Sequence, residues 1–267
     1  MIRAALATGV TVLAVAAATL TGPTSAGAAT SSNWSGYAAT GTTFSTVAGS
    51  WVQPTANCAT ATSPTTASAF WIGLGGDTGS TSLEQVGTEA DCSGGSVSYS
   101  AWYELVPKAA VKIALKVSAG DKLSASVRVA GTKIALTIRN QSTGKSFTKT
   151  LTMASPDVSS AEWIAEAPSV LTPGGTQVLP LTDFGTIRFS SATATSASGH
   201  TGTISDSAWS ATRILLESQS GRPGPYGRFA REELGTVQAI PTTLSRDGSA
   251  FSVAWRESES STAPGNV

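Results

Sequence analysis

Apolar and polar residues alternate along most of this chain. In "SVSYSAWYELV" (96–106), "KIALKVSAGDKLSASVRVAGTKIALTIRN" (112–140) and "SFTKTLTM" (146–153) the apolar positions recur with a period of two. That is the signature of a strand with one buried face. Ala119-Gly120-Asp121, Gly131 and Thr143-Gly144 punctuate these runs as turns. The pattern continues in "TDFGTIRFSSATA" (182–194), and "LGTVQAIPTTLSRDGSAFSVAWRE" (234–257) reads as a hairpin around Asp247-Gly248. No long amphipathic helix competes with it; "RFAREEL" (228–234) makes at most one short turn. Regularly spaced strands with polar turns predict an all-β chain, an antiparallel β-sandwich with one face free to form a groove. "SSATATSASGHTGT" (190–203) and "SQSGRPGPYGRF" (218–229) read as surface loops.

The first residues follow a different pattern. Arg3 precedes an apolar run from Ala4 to Leu20, and a small-residue site, Ala26-Gly27-Ala28, follows the Gly22-Pro23 break. This is the three-part plan of a secretory signal peptide, with cleavage after Ala28. No other stretch is long and apolar enough to span a bilayer. The sequence therefore divides into an export signal (1–28), a β-sandwich domain (29–257) and a loose tail, "SESSTAPGNV" (258–267). A secreted, extracellular monomer is expected, with no membrane attachment after cleavage.

Composition narrows the chemistry. Charged residues make up only 13% of the chain, and removing Arg3 leaves 16 basic against 17 acidic residues. Net charge thus offers no basic field to attract nucleic acid or anionic lipid. Cys58 and Cys92 form an even pair in an exported chain, so a disulfide is the default. His200 is the single histidine, in a Ser/Gly-rich loop, and G-x-S-x-G is missing. H-E-x-x-H and EF-hand loops are missing too, so no metal or cofactor is expected. Catalysis here falls to carboxylates and amides.

Two carboxylate readings compete. "GGDTGS" (75–80) contains the D-T-G-S of pepsin-like aspartic peptidases. That chemistry needs two aspartates sharing a proton, and no second D-[TS]-G occurs, so a turn is the better reading of Asp77. In "AEWIAEAPSV" (161–170), Glu162, Ile164 and Glu166 share one face of a strand. Glu166 reads as a rim carboxylate.

"SSNWSGYAA" (31–39), "SAFWIGLGGDTGSTSLEQVGTEADC" (68–92), "YSAWYELVP" (99–107), "SSAEWIAEAPSV" (159–170) and "LTDFGTIRFSSA" (181–192) occur in that order. Together they resemble the glutamic peptidases, the eqolisin family of secreted acid endopeptidases, over most of the mature chain. The resemblance implies a concanavalin-like sandwich of two large antiparallel sheets, with the active-site cleft on a concave face. It implies that Gln85 and Glu162 form the catalytic dyad, with Trp71 and Trp102 as cleft residues and Glu104 as a supporting acid. Polypeptides are the implied substrates. The chain departs from the family at Gly75, where an aspartate often stands. An ionised Glu162 would take a proton from water and return it to the leaving amine, while Gln85 holds the oxyanion. Two other functions use the same residues. A lectin-like sandwich would bind sugar through its tryptophans without turnover, and a glycoside hydrolase would pair Glu162 with Glu104 or Glu166.

Overall fold

The structure, a computed structural model, describes residues 27–61, 63–77, 80, 82–172, 175–218 and 236–257. Residues 1–26 of the expected export signal (1–28), residues 219–229 of the expected 218–229 loop, the 228–234 segment and the 258–267 tail lie outside those residues, whereas Gly27 and Ala28 open β1. Strands come in chain order as β1 (Gly27–Ser31), β2 (Trp34–Thr40), β3 (Phe44–Val52), β4 (Thr65–Thr66), β5 (Ala69–Leu74) and β6 (Leu83–Ser93). Next are β7 (Ser96–Val106), β8 (Val111–Ile113), β9 (Lys122–Ala130), β10 (Lys133–Asn140), β11 (Lys145–Thr152) and β12 (Ser160–Glu166). The last are β13 (Ser169–Thr172), β14 (Gly175–Val178), β15 (Thr186–Ser196), β16 (Thr201–Thr203), β17 (Ser210–Glu217), β18 (Val237–Pro241) and β19 (Phe251–Trp255).

Two layers result. The front layer runs β1–β17–β2–β12–β5–β6–β7–β8. The back layer runs β19–β15–β3–β9–β10–β11. These ladders are antiparallel except where β1 lies parallel to β17. The expected two sheets are halves of one 17-stranded sheet, because β18 pairs with both β17 and β19 at the seam. β13 and β14 form a separate hairpin.

Alternation explains the core. Phe70, Ile72, Val86 and Trp163 of the front layer meet Val47, Trp51, Leu123 and Val127 of the back. Burying each such side chain contributes about 1.5–3 kcal/mol. Two indoles cross-link the layers: Trp163 Nε1 donates to the Ala48 carbonyl at 2.8 Å, and Trp51 Nε1 to Thr88 Oγ1 at 3.0 Å. Each thereby satisfies a buried donor.

The alternating runs at 96–106 and 146–153 fold as β7 and β11, and the late hairpin forms from β18 and β19. Two readings need correction. The 190–203 segment is a hairpin of β15 and β16. Its inward residues, Ala192, Ala194 and Ser196, are too small to show as an apolar alternation. In the 112–140 run, residues 114–121 leave the sheet, although Leu115 and Val117 stay buried. The cysteines do pair: Cys58, in a short 3₁₀ turn, is joined to Cys92 on β6 across 34 residues.

Replacing Cys58 and Cys92 with alanine is expected to cost on the order of 3–4 kcal/mol, the chain entropy of a loop of that length. Denaturant unfolding of the double variant checks this, and an unchanged midpoint would show that the bridge adds nothing.

Candidate active site

One row of paired residues organises the front layer. Glu162 on β12 pairs with Ala38 on one side and with Gly73 of β5 on the other. Gly73 pairs with Gln85 of β6, and Gln85 with Glu104 of β7. Paired residues share a face, so Glu162, Gln85 and Glu104 project together from the outer side of the layer. Glu162 and Gln85 stand two strands, or about 9.5 Å, apart. The residue between them is a glycine. A Cβ on Gly73 would lie 3.0 Å from both Leu83 Cδ1 and Trp71 Cζ3. Those two side chains close over the gap.

Gln85 is nearly buried, and its Nε2 donates to Glu104 Oε2 at 2.7 Å. Its Oε1 has no partner. Glu162 is fully buried, and neither carboxyl oxygen has a hydrogen-bond partner. Burial pushes its pKa well above the ordinary glutamate value, against the neighbouring Ser160 hydroxyl. The charges of Asp77, Asp157 and Glu84 push it further the same way. A carboxyl with that environment rests as the neutral acid.

Two hollows flank this row. One, of about 300 Å³, is lined by Gln85, Trp102, Glu104 and Glu166 among others. The second, of similar size, is lined by Gly76, Asp77 and Ile214. Asn33 and Trp34 line both and form the wall between them. Glu162 lines neither. Trp102 is thus a cleft residue, with its Nε1 unpartnered, while Trp71 is buried beneath, edge-on to Trp34 with ring centres 5.0 Å apart. Glu104 is raised by burial, against the Gln85 hydrogen bond.

Glu166 stands partly exposed at the first hollow, and two donors hold it there. Trp71 Nε1 donates to its Oε2 at 2.6 Å and Asn33 Nδ2 to its Oε1 at 3.0 Å. Burial pushes it up to about 7. Its position four residues after Glu162 puts it on the same face, where the Trp71 indole meets it.

Asp157 holds the loop that follows β5. Gly76 N–H donates to its Oδ2 at 3.1 Å, and its own N–H donates to Glu84 Oε1 at 3.3 Å. Burial works to raise the Asp157 carboxyl, but hydrogen bonds from Ser159, Gly76 and Ser80 hold it below the usual aspartate range. Gly75 has φ +88°, and a Cβ there would fall 2.6 Å from the Asp157 Cβ. Glycine at 75 is therefore required by Asp157, which takes the space a side chain would need. Asp77 sits at the second hollow, raised by burial, as part of this glycine loop. Among the described residues no cluster of three or more His, Cys, Asp or Glu is placed to hold a metal ion.

A model of the peptidase A4 family matches residues 32–222. The chain belongs to the peptidase A4 family. This A4 peptidase is 28% identical over 193 residues to aspergillopepsin-2 of Aspergillus niger, covering 64% of this chain and 67% of that protein. It is 31% identical over 120 residues to scytalidopepsin B of Scytalidium lignicola, 44% of each chain. Scytalido-glutamic peptidase, solved with a peptide-based transition-state analogue, superposes with a TM-score of 0.66 at 23% identity. That match covers 84% of this chain and 98% of that one. Aspergilloglutamic peptidase of Aspergillus niger gives a TM-score of 0.53 at 26% identity, over 72% and 99%. The A4 peptidase is a glutamic-type endopeptidase on a β-sandwich.

Sequence reasoning missed Asn33, Trp34, Glu84 and Asp157. The first two sit in "SSNWSGYAA", where the aromatic beside a polar cluster was a usable signal. Glu84 neighbours Gln85 but points to the opposite face, fully buried and pushed up to about 8 by desolvation. Asp157 lies in "SPDVSS", where nothing local marks it.

Gly75→Ala is expected to cost about 1–3 kcal/mol, from left-handed strain and overpacking. Asp157→Ala in the same chain should recover part of that cost. A double-mutant cycle on unfolding free energies checks it, and simple additivity would separate the two residues.

Stability should also fall as pH rises. Glu84 at about 8, Asp91 at about 7 and Glu166 at about 7 bind protons in the folded state that the unfolded chain releases near pH 4 to 5. Folded-state proton uptake exceeds unfolded-state uptake over that window, so the slope of unfolding free energy with pH is negative. The stability is fully present below the unfolded values and lost through the folded ones. Thermal midpoints should drop by several degrees between about pH 5 and pH 8, and Glu84→Gln should flatten the slope.

Proposed function

We propose that this peptidase is an exported acid endopeptidase in which Glu162 activates the attacking water and Gln85 holds the developing oxyanion. The observation that supports it most is the shared cross-strand row, with glycine between the two side chains. The export signal supports secretion. Trp102, Trp34 and Glu104 line the hollow that receives a substrate side chain, and Trp71 backs the dyad. A peptide entering this hollow meets Gln85 first, and reaches Glu162 once Leu83 moves aside.

The buried, unpartnered state of Glu162 changes the starting protonation from the ionised form that the sequence reading implies to the neutral acid. Its bare oxygen takes a proton from water as the water oxygen bonds to the scissile carbon. Its O–H proton passes to the carbonyl oxygen, which the second amide hydrogen of Gln85 also holds. A neutral diol results, with Glu162 protonated on its other oxygen. Glu162 then gives that proton to the leaving nitrogen and regains one from a diol hydroxyl as the C–N bond breaks. No covalent intermediate forms. Sugar chemistry through Glu162 and Glu104 would leave Gln85 without a role, and membership of a peptidase family removes its ground.

Glu162→Gln and Gln85→Ala should each fold normally and lose roughly 10²–10⁴-fold in kcat. Glu166→Gln keeps an acceptor for Trp71 and should retain most activity. Because the working form of Glu162 is protonated, activity is complete below its folded pKa and lost as pH rises through it. Hydrolysis of denatured protein at about pH 3–6 should therefore exceed that at about pH 8, and pepstatin should not inhibit. A folded Glu162→Gln enzyme that cleaves at wild-type rate would overturn the assignment.

A further inference from the structure

Near-zero net charge conceals a segregation. Nine of the 17 lysines and arginines fall between residues 108 and 149, against one acid, Asp121. Six of the nine, Lys122, Arg128, Lys133, Arg139, Lys145 and Lys149, lie on β9, β10 and β11 of the back layer. None of β3, β9, β10, β11 and β15 contains an acidic residue. Their inward residues fill the core, and their outward residues form a broad face on the side of the sandwich away from the dyad.

Register makes that face regular. Ser190, Ser50, Ser124, Arg139 and Ser146 form one continuous cross-strand row. A second row joins Thr195, Thr46, Arg128, Ala135 and Thr150. Threonine hydroxyls meet along the strands' shared face, Thr137 with Thr148 at 3.2 Å and Thr195 with Thr201 at 2.9 Å. Five cations rise from it: Lys122, Arg128, Lys133, Arg139 and Arg188, all exposed. None has a carboxylate partner; among the described residues the one ion pair is His200 with Asp206.

We propose that this face docks a polysaccharide carrying sulfate or phosphate esters. Unpaired cations on an acid-free face select an anion. Arginine forks fit the oxygens of such esters in bidentate fashion. Hydroxyls on neighbouring strands, about 4.8 Å apart along such a row, suit a hydroxylated chain lying flat. Ester groups remain ionised in acid where a carboxylated sugar is neutralised, a choice that rests on the acid working range proposed above. No aromatic side chain stands on the rows for base stacking. Val52 at the edge is the single large aliphatic outward residue, too little to enter a bilayer. Docking here leaves the cleft open on the opposite side.

The test uses the purified, signal-processed chain on immobilised dextran sulfate and on neutral dextran, at about pH 4 and pH 7. Retention on the sulfated matrix alone, reversed by salt, is expected at both. Replacing Arg128, Lys133 and Arg139 together with serine should weaken binding by about tenfold or more. An equal change in net charge elsewhere, Lys116, Arg246 and Arg256 to serine, should leave it within about twofold. Thermal midpoints of both triple variants should match the parent, which makes the result independent of whether the peptidase mechanism is right. Equal loss in the two triple variants would reduce the effect to net charge and overturn the proposal. So would absence of retention, or tighter binding to single-stranded DNA or anionic vesicles at matched charge. Retention at pH 4 with no peptide hydrolysis would support the docking face while removing the proposed mechanism.

Discussion

The site depends on how β12 is held from behind. Trp163 turns inward, donates its indole N–H to the Ala48 carbonyl of the opposite layer and fills the space that Gly49 leaves open. Its chain neighbour Glu162 must then turn outward, because successive strand residues take opposite faces. A one-residue slip would exchange the two, burying a carboxyl in the core and exposing an indole. That exchange is too costly to occur. The pairing of β12 with β2 and β5 follows, and the row from Glu162 to Glu104 is a consequence of it. Position at the site is inherited from the core.

The second constraint is electrostatic. Carboxyls of Glu84, Glu104, Glu162 and Glu166 gather in and on the front layer, and no lysine or arginine is paired with any of them. Buried acids without cations are tolerated when they hold their protons. Asp157 is the exception, kept ionised by several hydrogen bonds, and its charge helps keep Glu162 protonated. Protons are thus structural parts of this molecule. The condition that lets the core tolerate these groups is the same one that keeps Glu162 protonated.

Much of this was legible in the sequence because strand alternation is a local signal. β7 and β10 carry apolar residues at alternate positions over most of their length, and β11 does so at Phe147 and Leu151, so their places follow directly. β15 and β16 do not, since alanine and serine fill a thin part of the core without an apolar contrast. Gln85, Glu162, Trp102 and Glu104 could be named in advance because ordered motifs carry them. Their meeting on one face could then be checked against parity alone. Asp157 could not, since its role comes from a steric demand on Gly75, 82 residues earlier in the chain. The partners of Glu166 were hidden for a similar reason: spacing places it on a face but says nothing about the indole of β5 that donates to it.

The opposed faces of the sandwich have one more effect. Unpaired cations stand at the back, while front carboxyls that keep their protons add little opposing charge, so the molecule carries its charge unevenly across its thin dimension. At neutral pH and low salt a charged wall would exert a torque on it, within a Debye length of about 10 Å at 0.1 M salt. As the medium acidifies, the exposed carboxylates elsewhere take up protons while lysine and arginine keep their charge. The molecule then becomes a net positive body with much of its charge on one side. Acid thus sets the direction in which the molecule faces a surface, independently of what it does to Glu162.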